Sequence, residues 1–479
     1  MALTRDAALW GVAVLAAGAL VTVGPRAWLL ASVVVAGVVI ALVPARRGER
    51  SALGEALFLS AAVAVAFAAL NTIRPVGSLT VTDLAFLAAL GLAALALVAD
   101  PSSGRKLMPP WWLTATAAGL LLAGLLVELF PPDRLPELTD FADPLYAGST
   151  GGSASTNLAG AIRLAATLLL VPMLVAAAAD SRRRVHLLTE LWIAGVLISG
   201  LVAVLGEQGI SIGPLGGLVR DFWREQGGLT VHPNILGLTS AMTLPIVIAR
   251  IGSADWRRRV YYVAVMAILV GAIGASGSRI ALIAGTIGVA LVVFLGRATW
   301  KLTAVFAAAA VVLIGATFVV DLGSVPVVER IRTEGIVDER RVILYEEAWE
   351  AVEGRPIMGY GFQNLRGTHD AYLQLLQAGG VLALLSFLLF SAATLTVGLR
   401  CSRSADLPPD LRALARGLTT SIAVWLLAVI VLNLVLDRFL YVPIGLLLGI
   451  AALLPRAQAA PRAQMPQPSS SSPVSARSS

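Results

Sequence analysis

Apolar segments about as long as a bilayer-spanning helix recur along this 479-residue chain, and they decide what it can fold into. A lipid core of about 30 Å offers no partner for free backbone N–H and C=O groups, so each crossing needs about 20 apolar residues in helical form. The chain is 57% hydrophobic and 14% charged, whereas about a quarter of the residues in a soluble domain are charged. The sequence therefore predicts an integral membrane protein.

The expected fold is an all-α, polytopic transmembrane bundle of about 12–14 spans with a helical outward loop. Fourteen spans are predicted, at residues 7–23, 27–43, 53–70, 83–99, 111–130, 158–178, 188–206, 233–250, 260–275, 280–296, 302–320, 379–399, 417–433 and 439–455. We expect one transmembrane domain over residues 1–455, which includes the outward loop 321–378. The Pro/Ser-rich residues 456–479 cannot bury a core and are expected to form a disordered cytoplasmic tail.

Arginine and lysine residues recur in alternate loops and indicate the orientation of the chain. These loops contain Arg46, Arg47 and Arg50; Arg105 and Lys106; Arg182 to Arg184; Arg257 to Arg259; Arg297 and Lys301; and Arg400, Arg403, Arg412 and Arg416. Cationic loops resist translocation, so we place them, and both termini, on the cytoplasmic side. The net charge of +7 is then a signal of topology and of attraction to anionic lipid, and we predict no nucleic acid partner.

Cofactor binding and ion-coupled transport have little support in the sequence. The single cysteine, Cys401, excludes an internal disulfide, and no His, Cys and carboxylate group has zinc-like spacing. Asp140 and Asp143 are compatible with a hard cation, but acids in a polar loop are usually just solvated. The predicted span centres are almost free of the ionisable residues that carriers place there, and Arg163 lies about two turns from the outer face. We therefore expect no metal and no cofactor, and we turn to the outer surface.

Arginines occur on the outer side, where the orientation rule does not place them. They are Arg220 and Arg224, Arg279, Arg330 and Arg332, and Arg340 and Arg341. Each is compatible with a simple role, either reaching to lipid headgroups or pairing with a nearby acid. Arg279 differs because its turn, "GASGSRIAL", is too short to leave the membrane surface, and Ser276 and Ser278 flank it. A fixed guanidinium at headgroup level suits a phosphate, whose oxygens match its fork of donors.

The outward loop contains two predicted helices. In "DERRVILYEEAWEAVEG", four residues at three- and four-residue spacing form an apolar stripe: Val342, Tyr345, Trp349 and Val352. Gly354 and Pro356 end this helix, which is expected to lie on the membrane surface or to cap the bundle. After the "MGYGF" turn, "THDAYLQLLQ" starts a second helix, for which Thr368 is the predicted N-cap.

His369 is therefore expected in the first turn of a helix, with Tyr372 on the same face. The positive end of a helix favours a neutral imidazole, which can accept a proton, whereas the adjacent Asp370 favours the charged form. The alternative is a histidine that only hydrogen-bonds a loop carbonyl. Of the other two histidines, His186 is expected to be a solvated or headgroup residue. His232 precedes Pro233 and Asn234 at the outer end of a span, where Asn234 is available to a ligand.

Three patterns over about residues 205–385 together resemble the O-antigen ligase and O-antigen polymerase superfamily. The first is a Pro-Asn pair that opens a span, here in "GGLTVHPNILG", and the second is a Ser-x-Ser-Arg turn, here in "SGSRIALIAG". The third pattern is an arginine with an aromatic-bearing helix, then Gly-x-Gly and a histidine: Arg341, Tyr345, Gly359, Gly361, His369 and Tyr372. The chain departs from the family in having Asp370 where asparagine is common, and in about fourteen spans where about twelve are usual.

The resemblance implies which residues function. His369, Arg279 and Arg341 correspond to the catalytic histidine and arginines, while Arg220 and Arg224 are alternative matches for one further arginine. The expected substrate-binding residues are Arg220, Arg224, Asn234, Ser278, Arg340 and Tyr372.

The implied activity is a metal-independent, inverting glycosyl transfer by a multi-pass protein of the bacterial cytoplasmic membrane, with the site facing outward. A glycan would pass from a polyprenyl diphosphate carrier to a glycan, lipid or protein acceptor, among membrane lipids. Arginines would neutralise the diphosphate and His369 would act as general base. A polymerase of the same superfamily, a lipid-linked-sugar flippase or exporter, and a scaffold of an envelope complex remain alternatives.

Overall fold

A computed structural model of the chain describes residues 52–73, 79–99, 108–132, 157–210, 221–222, 225–295, 326–334, 339–362, 370–432, 434–435 and 437–454. Their α-helices are α1 Ala52–Ala66, α2 Val81–Ala99, α3 Trp111–Leu129, α4 Asn157–Ala178, α5 Arg182–Glu207, α6 Pro233–Ser253, α7 Trp256–Ala275, α8 Arg279–Leu295, α9 Pro326–Glu334, α10 Glu339–Gly354, α11 Ala371–Arg403, α12 Pro409–Ala428 and α13 Val442–Ala452. A short 3-10 helix, Arg438–Tyr441, precedes α13, and the two-residue strands β1 (Asp221–Phe222) and β2 (Glu225–Gln226) pair antiparallel. The predicted all-α, polytopic bundle is confirmed.

Seven of the described helices are long and apolar enough to cross a membrane: α3, α4, α5, α6, α7, α11 and α12. Four shorter apolar helices are also present, at Gly54–Ala66, Val81–Ala94, Arg279–Leu295 and Arg438–Ala452. All eleven overlap predicted spans. The other three predicted spans, 7–23, 27–43 and 302–320, lie outside the described residues.

The predicted boundaries of the span 417–433 are wrong. Helix α12 begins at Pro409, because Pro408 and Pro409 fit the start of a helix, and it ends at Ala428. The chain then turns, and Arg438 opens the 3-10 helix before α13. Apolar content located this span approximately, but the proline signal sets where the helix begins.

Helix α6 is the most enclosed of the seven candidate spans. It packs against α5, α7, α8 and α12, and α12 in turn packs against α11 and α13. Helix α13 packs against α4, which packs against α3. A series of helix contacts therefore connects α8, α6, α12, α13 and α4, and the polar groups described below lie on these helices or next to them.

Partly buried ion pairs tie together the ends of the helices that the arginine-rich loops assign to the cytoplasm. Arg184 of α5 bonds Glu55 of α1 at 2.7 Å, and Arg250 of α6 bonds Glu190 of α5 at 2.8 Å. Breaking a buried pair by removing one partner leaves an uncompensated charge, which is strongly destabilising. These contacts therefore hold the helices in register at this end of the bundle.

His186 belongs to this network, so its expected role as a solvated or headgroup residue is wrong. It is half-buried and lies between Asp410 of α12, at 2.6 Å, and Arg250, at 2.8 Å. Arg250 can only donate, so Nδ1 of His186 accepts and its Nε2–H donates to Asp410. The imidazole thus links α5, α6 and α12 in one defined tautomer.

Helix α11 breaks at Gly379 and Gly380, within the "QAGG" of the outward half. Gly380 has φ +63, and the backbone groups left open by the break pair with the loop after α10. Val381 N donates to Pro356 O at 2.9 Å, and Gly361 N donates to Ala378 O at 2.8 Å. The loop thus satisfies polar groups that lipid could not.

We expect Gly380→Ala to destabilise the protein by at least about 2 kcal/mol, because non-glycine residues are strained in this backbone region. An added Cβ would also lie 2.0 Å from Ile357 O, a backbone atom that cannot move alone. The measurement is the midpoint of thermal unfolding in detergent. The matched control is Gly91→Ala in α2, where nothing lies within 4 Å of the added atom. Equal midpoints for the two variants would contradict the account of the break.

Candidate functional site

Arg279 begins α8 directly after a tight serine turn. Ser276 Oγ–H donates to Ile273 O at 2.8 Å, and the same oxygen accepts from Ser278 N at 3.2 Å. Ser278 Oγ accepts from Ala281 N at 3.4 Å. The turn is therefore closed by its own hydroxyl groups, and it fixes the backbone position of Arg279, whose side chain is only 8% exposed.

Three predicted site residues lie together at the outer ends of α6 and α8. An added Cβ on Gly237 of α6 would lie 2.7 Å from Ser276 Oγ and 2.8 Å from Ser278 Cβ, so the turn packs directly on α6. Asn234 lies one turn before Gly237 on the same helix face and is buried. The serine turn before Arg279 thus packs on α6 one helical turn from Asn234, at the helix ends that the arginine-rich loops assign to the outer side. Helix α9 packs against α7 and α8.

His232 has a structural role in the start of α6. It is the N-cap residue, and its Nδ1 accepts from Asn234 N at 3.1 Å. Pro233 occupies the first helical position, as expected. The Pro-Asn pattern of the sequence therefore includes a histidine that caps the helix and aligns Asn234.

Asp370, and not Thr368, is the N-cap of α11. Its Oδ1 accepts from Tyr372 N at 2.8 Å and from Leu373 N at 3.0 Å. The helix begins at Ala371, so the prediction that His369 lies in its first turn is wrong; a carboxylate one residue later is the stronger cap. Burial raises the pKa of Asp370, and the two backbone N–H groups act in the opposite direction.

This cap accounts for the departure from the family pattern at position 370. Asparagine and aspartate are similarly good N-cap residues, since each presents a side-chain oxygen to the first backbone N–H groups. The Oδ1 atom of Asp370 is engaged in capping. The sequence left open whether Asp370 tunes His369 or favours the helix start, and the structure supports the second role.

We expect Asp370→Ala to lower stability by about 1 kcal/mol, and Asp370→Asn to leave it nearly unchanged. The reason is that asparagine keeps the capping oxygen, whereas alanine leaves two backbone N–H groups without it. Thermal unfolding of both variants in detergent tests this. If Asp370→Asn lost as much stability as Asp370→Ala, the negative charge and not the cap would be the important property.

Tyr372 anchors the start of α11 to the end of α12. Its hydroxyl donates to Leu426 O at 2.9 Å, and Ala371 N donates to Val429 O at 2.8 Å. The ring packs edge-on against Phe387. The expected substrate-binding role of Tyr372 is therefore limited to the lone pairs and the ring edge, because the hydroxyl proton is already donated.

The remaining predicted site residues are only partly covered by the structure. His369, Arg220 and Arg224 lie outside the described residues. Arg340 and Arg341 are in the first turn of α10, where the structure describes the backbone but not these side chains. Helix α10 packs against α11, which is compatible with both expected arrangements, on the membrane surface or over the bundle.

The predicted apolar stripe of α10 is only partly correct. Val352 is buried, together with Ala348 and Ala351, whereas Val342 and Trp349 are exposed, Trp349 to 53%. The small alanines allow close packing on the bundle. An exposed tryptophan is common where a helix meets the membrane interface, because its ring is amphipathic.

The chain is anchored just before and just after residues 363–369. Phe362 is buried, and an added Cβ on Gly160 of α4 would lie 2.4 Å from Phe362 O. On the other side, Ala371 is bonded to Val429 as described above. Phe362 is therefore held at α4, and Ala371 is held at the end of α12.

Sequence reasoning missed two charged residues at this outer end, Asp437 and Arg438. Arg438 forms an ion pair with Asp83 of α2. Asp437 is 8% exposed, and its Oδ2 has no hydrogen-bond partner among the described residues. Burial raises the pKa of Asp437 to about 7, and the positive charge of Arg163 on α4 acts in the opposite direction. The available signal was the pair "DR" between two predicted spans.

Metal-ligand groups are not evident in the part of the chain that the structure covers. No three His, Cys, Asp or Glu side chains within the described ranges lie together as a metal site would require.

Comparison with curated proteins finds no match to this chain. A family model described as O-antigen ligase matches residues 264–388, which include the serine turn, Arg279, α9, α10, His369 and the start of α11. Together with the seven candidate spans, this match indicates a multi-pass membrane enzyme of the O-antigen ligase or polymerase type, glycosyltransferase-like and acting on lipid-linked glycans. Over residues 264–388, the predicted resemblance to the O-antigen ligase and O-antigen polymerase superfamily is confirmed.

Proposed function

We propose that this protein is a ligase-type glycosyltransferase that moves a glycan from a polyprenyl diphosphate carrier to an acceptor at the outer face of the bacterial cytoplasmic membrane. The observation that carries the proposal is Arg279, a buried arginine that follows the closed serine turn packed on α6, inside the family match. A fixed guanidinium at the end of a span is suited to a diphosphate at headgroup level.

The chemistry requires two kinds of group. The acceptor hydroxyl oxygen attacks C1 of the carrier-linked sugar, and the bond between C1 and the diphosphate oxygen breaks. The leaving polyprenyl diphosphate takes the electron pair, and configuration at C1 inverts. The enzyme must therefore stabilise negative charge on the diphosphate and remove the hydroxyl proton.

Arginines suit the first task. Arg279 and Arg341 are proposed to contact the diphosphate, with Arg340 and either Arg220 or Arg224 assisting. Preorganised cations at the place where charge develops stabilise the transition state without needing a metal. Asn234 and Ser278 are proposed to orient the donor.

His369 suits the second task. A histidine titrates near neutral pH, so a neutral imidazole is available to accept the hydroxyl proton. Helix α10, which packs against α11, would shield the donor from hydrolysis by water.

A deletion strain tests the proposed class of reaction. A ligase predicts long carrier-linked glycans that never reach their acceptor, because polymerisation continues without transfer. A polymerase predicts single carrier-linked repeat units. A flippase or exporter predicts that carrier-linked units accumulate on the cytoplasmic side, and that result would overturn the enzyme proposal.

A further inference from the structure

A second polar cluster lies near the helix ends that the arginine-rich loops assign to the outer side. It is formed by Asp83 of α2, Arg163 of α4, and Asp437 and Arg438 before α13. Helix α8, which carries Arg279, packs against α6 and α12, while α4, which carries Arg163, packs against α13. The two groups of arginines are therefore on separate helices that are linked through α12 and α13.

The cluster is linked to Phe362 and Ala371 through the elements that carry Arg163 and Asp437. Arg163 lies one turn along α4 from Gly160, and Gly160 packs directly on Phe362. The chain after α12 begins at Val429, whose carbonyl accepts from Ala371 N, and Asp437 follows in this same stretch of chain.

The buried position of Asp437 lowers the stability of the folded protein. A buried carboxyl oxygen with no hydrogen-bond donor loses its hydration without compensation. Oδ2 of Asp437 has no hydrogen-bond donor among the described residues, although the positive charge of Arg163 is favourable for the carboxylate. An unsatisfied buried acceptor calls for an explanation, and a ligand that supplies the missing donor is one of the few available.

The missing donor identifies the chemistry of the ligand. A diphosphate has only acceptor oxygens at neutral pH, so it could pair with the protonated acid but would be repelled by the carboxylate. A saccharide hydroxyl both donates and accepts a hydrogen bond, so it fits Asp437 in either protonation state, beside an arginine. The side chain of Arg438 is one-third exposed, so the cluster reaches the protein surface at its edge.

We propose that Asp437 and Arg163 form a saccharide-binding subsite, which binds a hydroxyl group of a glycan and is separate from the diphosphate site at Arg279. The Arg438–Asp83 ion pair holds the chain that carries Asp437 against α2. This inference rests on the proposed function, because a glycan-transferring enzyme needs a site for a saccharide as well as one for the diphosphate. The saccharide belongs either to the donor or to the acceptor.

Binding to the full-length protein in nanodiscs, with three probes, tests the subsite. The probes are undecaprenyl diphosphate, undecaprenyl diphosphate N-acetylglucosamine, and octyl N-acetylglucosaminide, which has no phosphate. Asp437→Asn is expected to weaken binding of the octyl glycoside about tenfold or more, and to leave bare undecaprenyl diphosphate unchanged. Arg279→Gln is expected to weaken both diphosphate probes and to spare the octyl glycoside.

The sugar-bearing carrier distinguishes the two sources. If Asp437→Asn weakens it relative to the bare carrier, the saccharide is the donor's; if only the octyl glycoside is affected, it is the acceptor's. If Asp437→Asn weakened binding of the bare carrier equally, the cluster would be a phosphate site. The subsite would also be overturned if Asp437→Asn bound all three probes normally, or if the unaltered protein did not bind the octyl glycoside. If Arg279→Gln bound both diphosphate probes as tightly as the unaltered protein, that result would instead count against the proposed function.

Stability provides a second readout that a purely structural role would not give. Because the pKa of Asp437 is raised, the folded protein favours the protonated acid, and stability falls as the pH rises from the usual range of aspartate towards about 7. The charges around it are Arg163 from α4 and Arg438 with Asp83 from α2. Asp437→Asn is expected to raise the unfolding midpoint at pH 8 and to change it little at pH 4. A lower midpoint at pH 8 would mean that Asp437 is a structural residue, and the subsite would be rejected.

Discussion

Replacing His369 by alanine is expected to slow glycan transfer by about 10² to 10⁴-fold, the usual contribution of a general base. The acceptor hydroxyl would then have to lose its proton to water during the attack on C1. Initial rates of purified protein in proteoliposomes measure this effect. The unaltered protein is also expected to lose activity as the pH falls below about 6.5, where an ordinary histidine becomes protonated, and the variant is expected to lack this dependence.

His232→Asn is the matched control for this prediction. His232 lies at the outer end of α6 and caps that helix through Nδ1, and asparagine is itself a good N-cap. We expect this variant to fold and to transfer glycan at nearly the normal rate. A His369→Ala protein that is folded and as fast as the His232→Asn protein would show that His369 is not the base.

Arg279→Gln is expected to lower the transfer rate by about 10² to 10³-fold, the loss seen when one preorganised donor to developing charge is removed. Glutamine keeps a polar side chain of similar length but loses the charge and the fork of donors. The transfer rate of Arg279→Lys is expected to lie between those of the unaltered protein and Arg279→Gln, because a lysine keeps the charge without the paired geometry. Steady-state kinetics with the carrier-linked donor measure both variants.

Arg332→Gln is the control for the arginine prediction. Arg332 is exposed in the last turn of α9, the helix that packs over the outer ends of α7 and α8, so the substitution removes an outer charge without disturbing a buried turn. We expect a small change in rate. If Arg279→Gln behaved like Arg332→Gln, the diphosphate would have to bind elsewhere.

Much of the transmembrane layout could be predicted from the sequence, because a lipid environment demands long apolar helices wherever the chain crosses. The eleven spans that fall on described helices were found by this requirement alone. Local signals refined it: Pro233 starts α6, and Gly354 ends α10 as predicted. The start of α12 was misplaced because apolar content was given more weight than the proline pair at 408 and 409.

The candidate site was less predictable, because it depends on contacts between residues distant in the chain. Nothing local indicates that Asp83 pairs with Arg438, or that Arg163 acts on Asp437. The prediction of Thr368 as N-cap is wrong because Thr368 and Asp370 are both good capping residues, and only the helix start at Ala371 decides between them. The turn at Arg279, in contrast, could be predicted because Ser276 and Ser278 close it locally.

The central claim is that the protein breaks the bond between a glycan and its polyprenyl diphosphate carrier. The most direct measurement follows free polyprenyl diphosphate in right-side-out membrane vesicles of a deletion strain, after the purified protein has been reconstituted into them. We predict that carrier diphosphate is released as glycan reaches the acceptor, and that release stops with His369→Ala. Movement of the intact carrier-linked glycan across the membrane, without any release of carrier diphosphate, would contradict the claim.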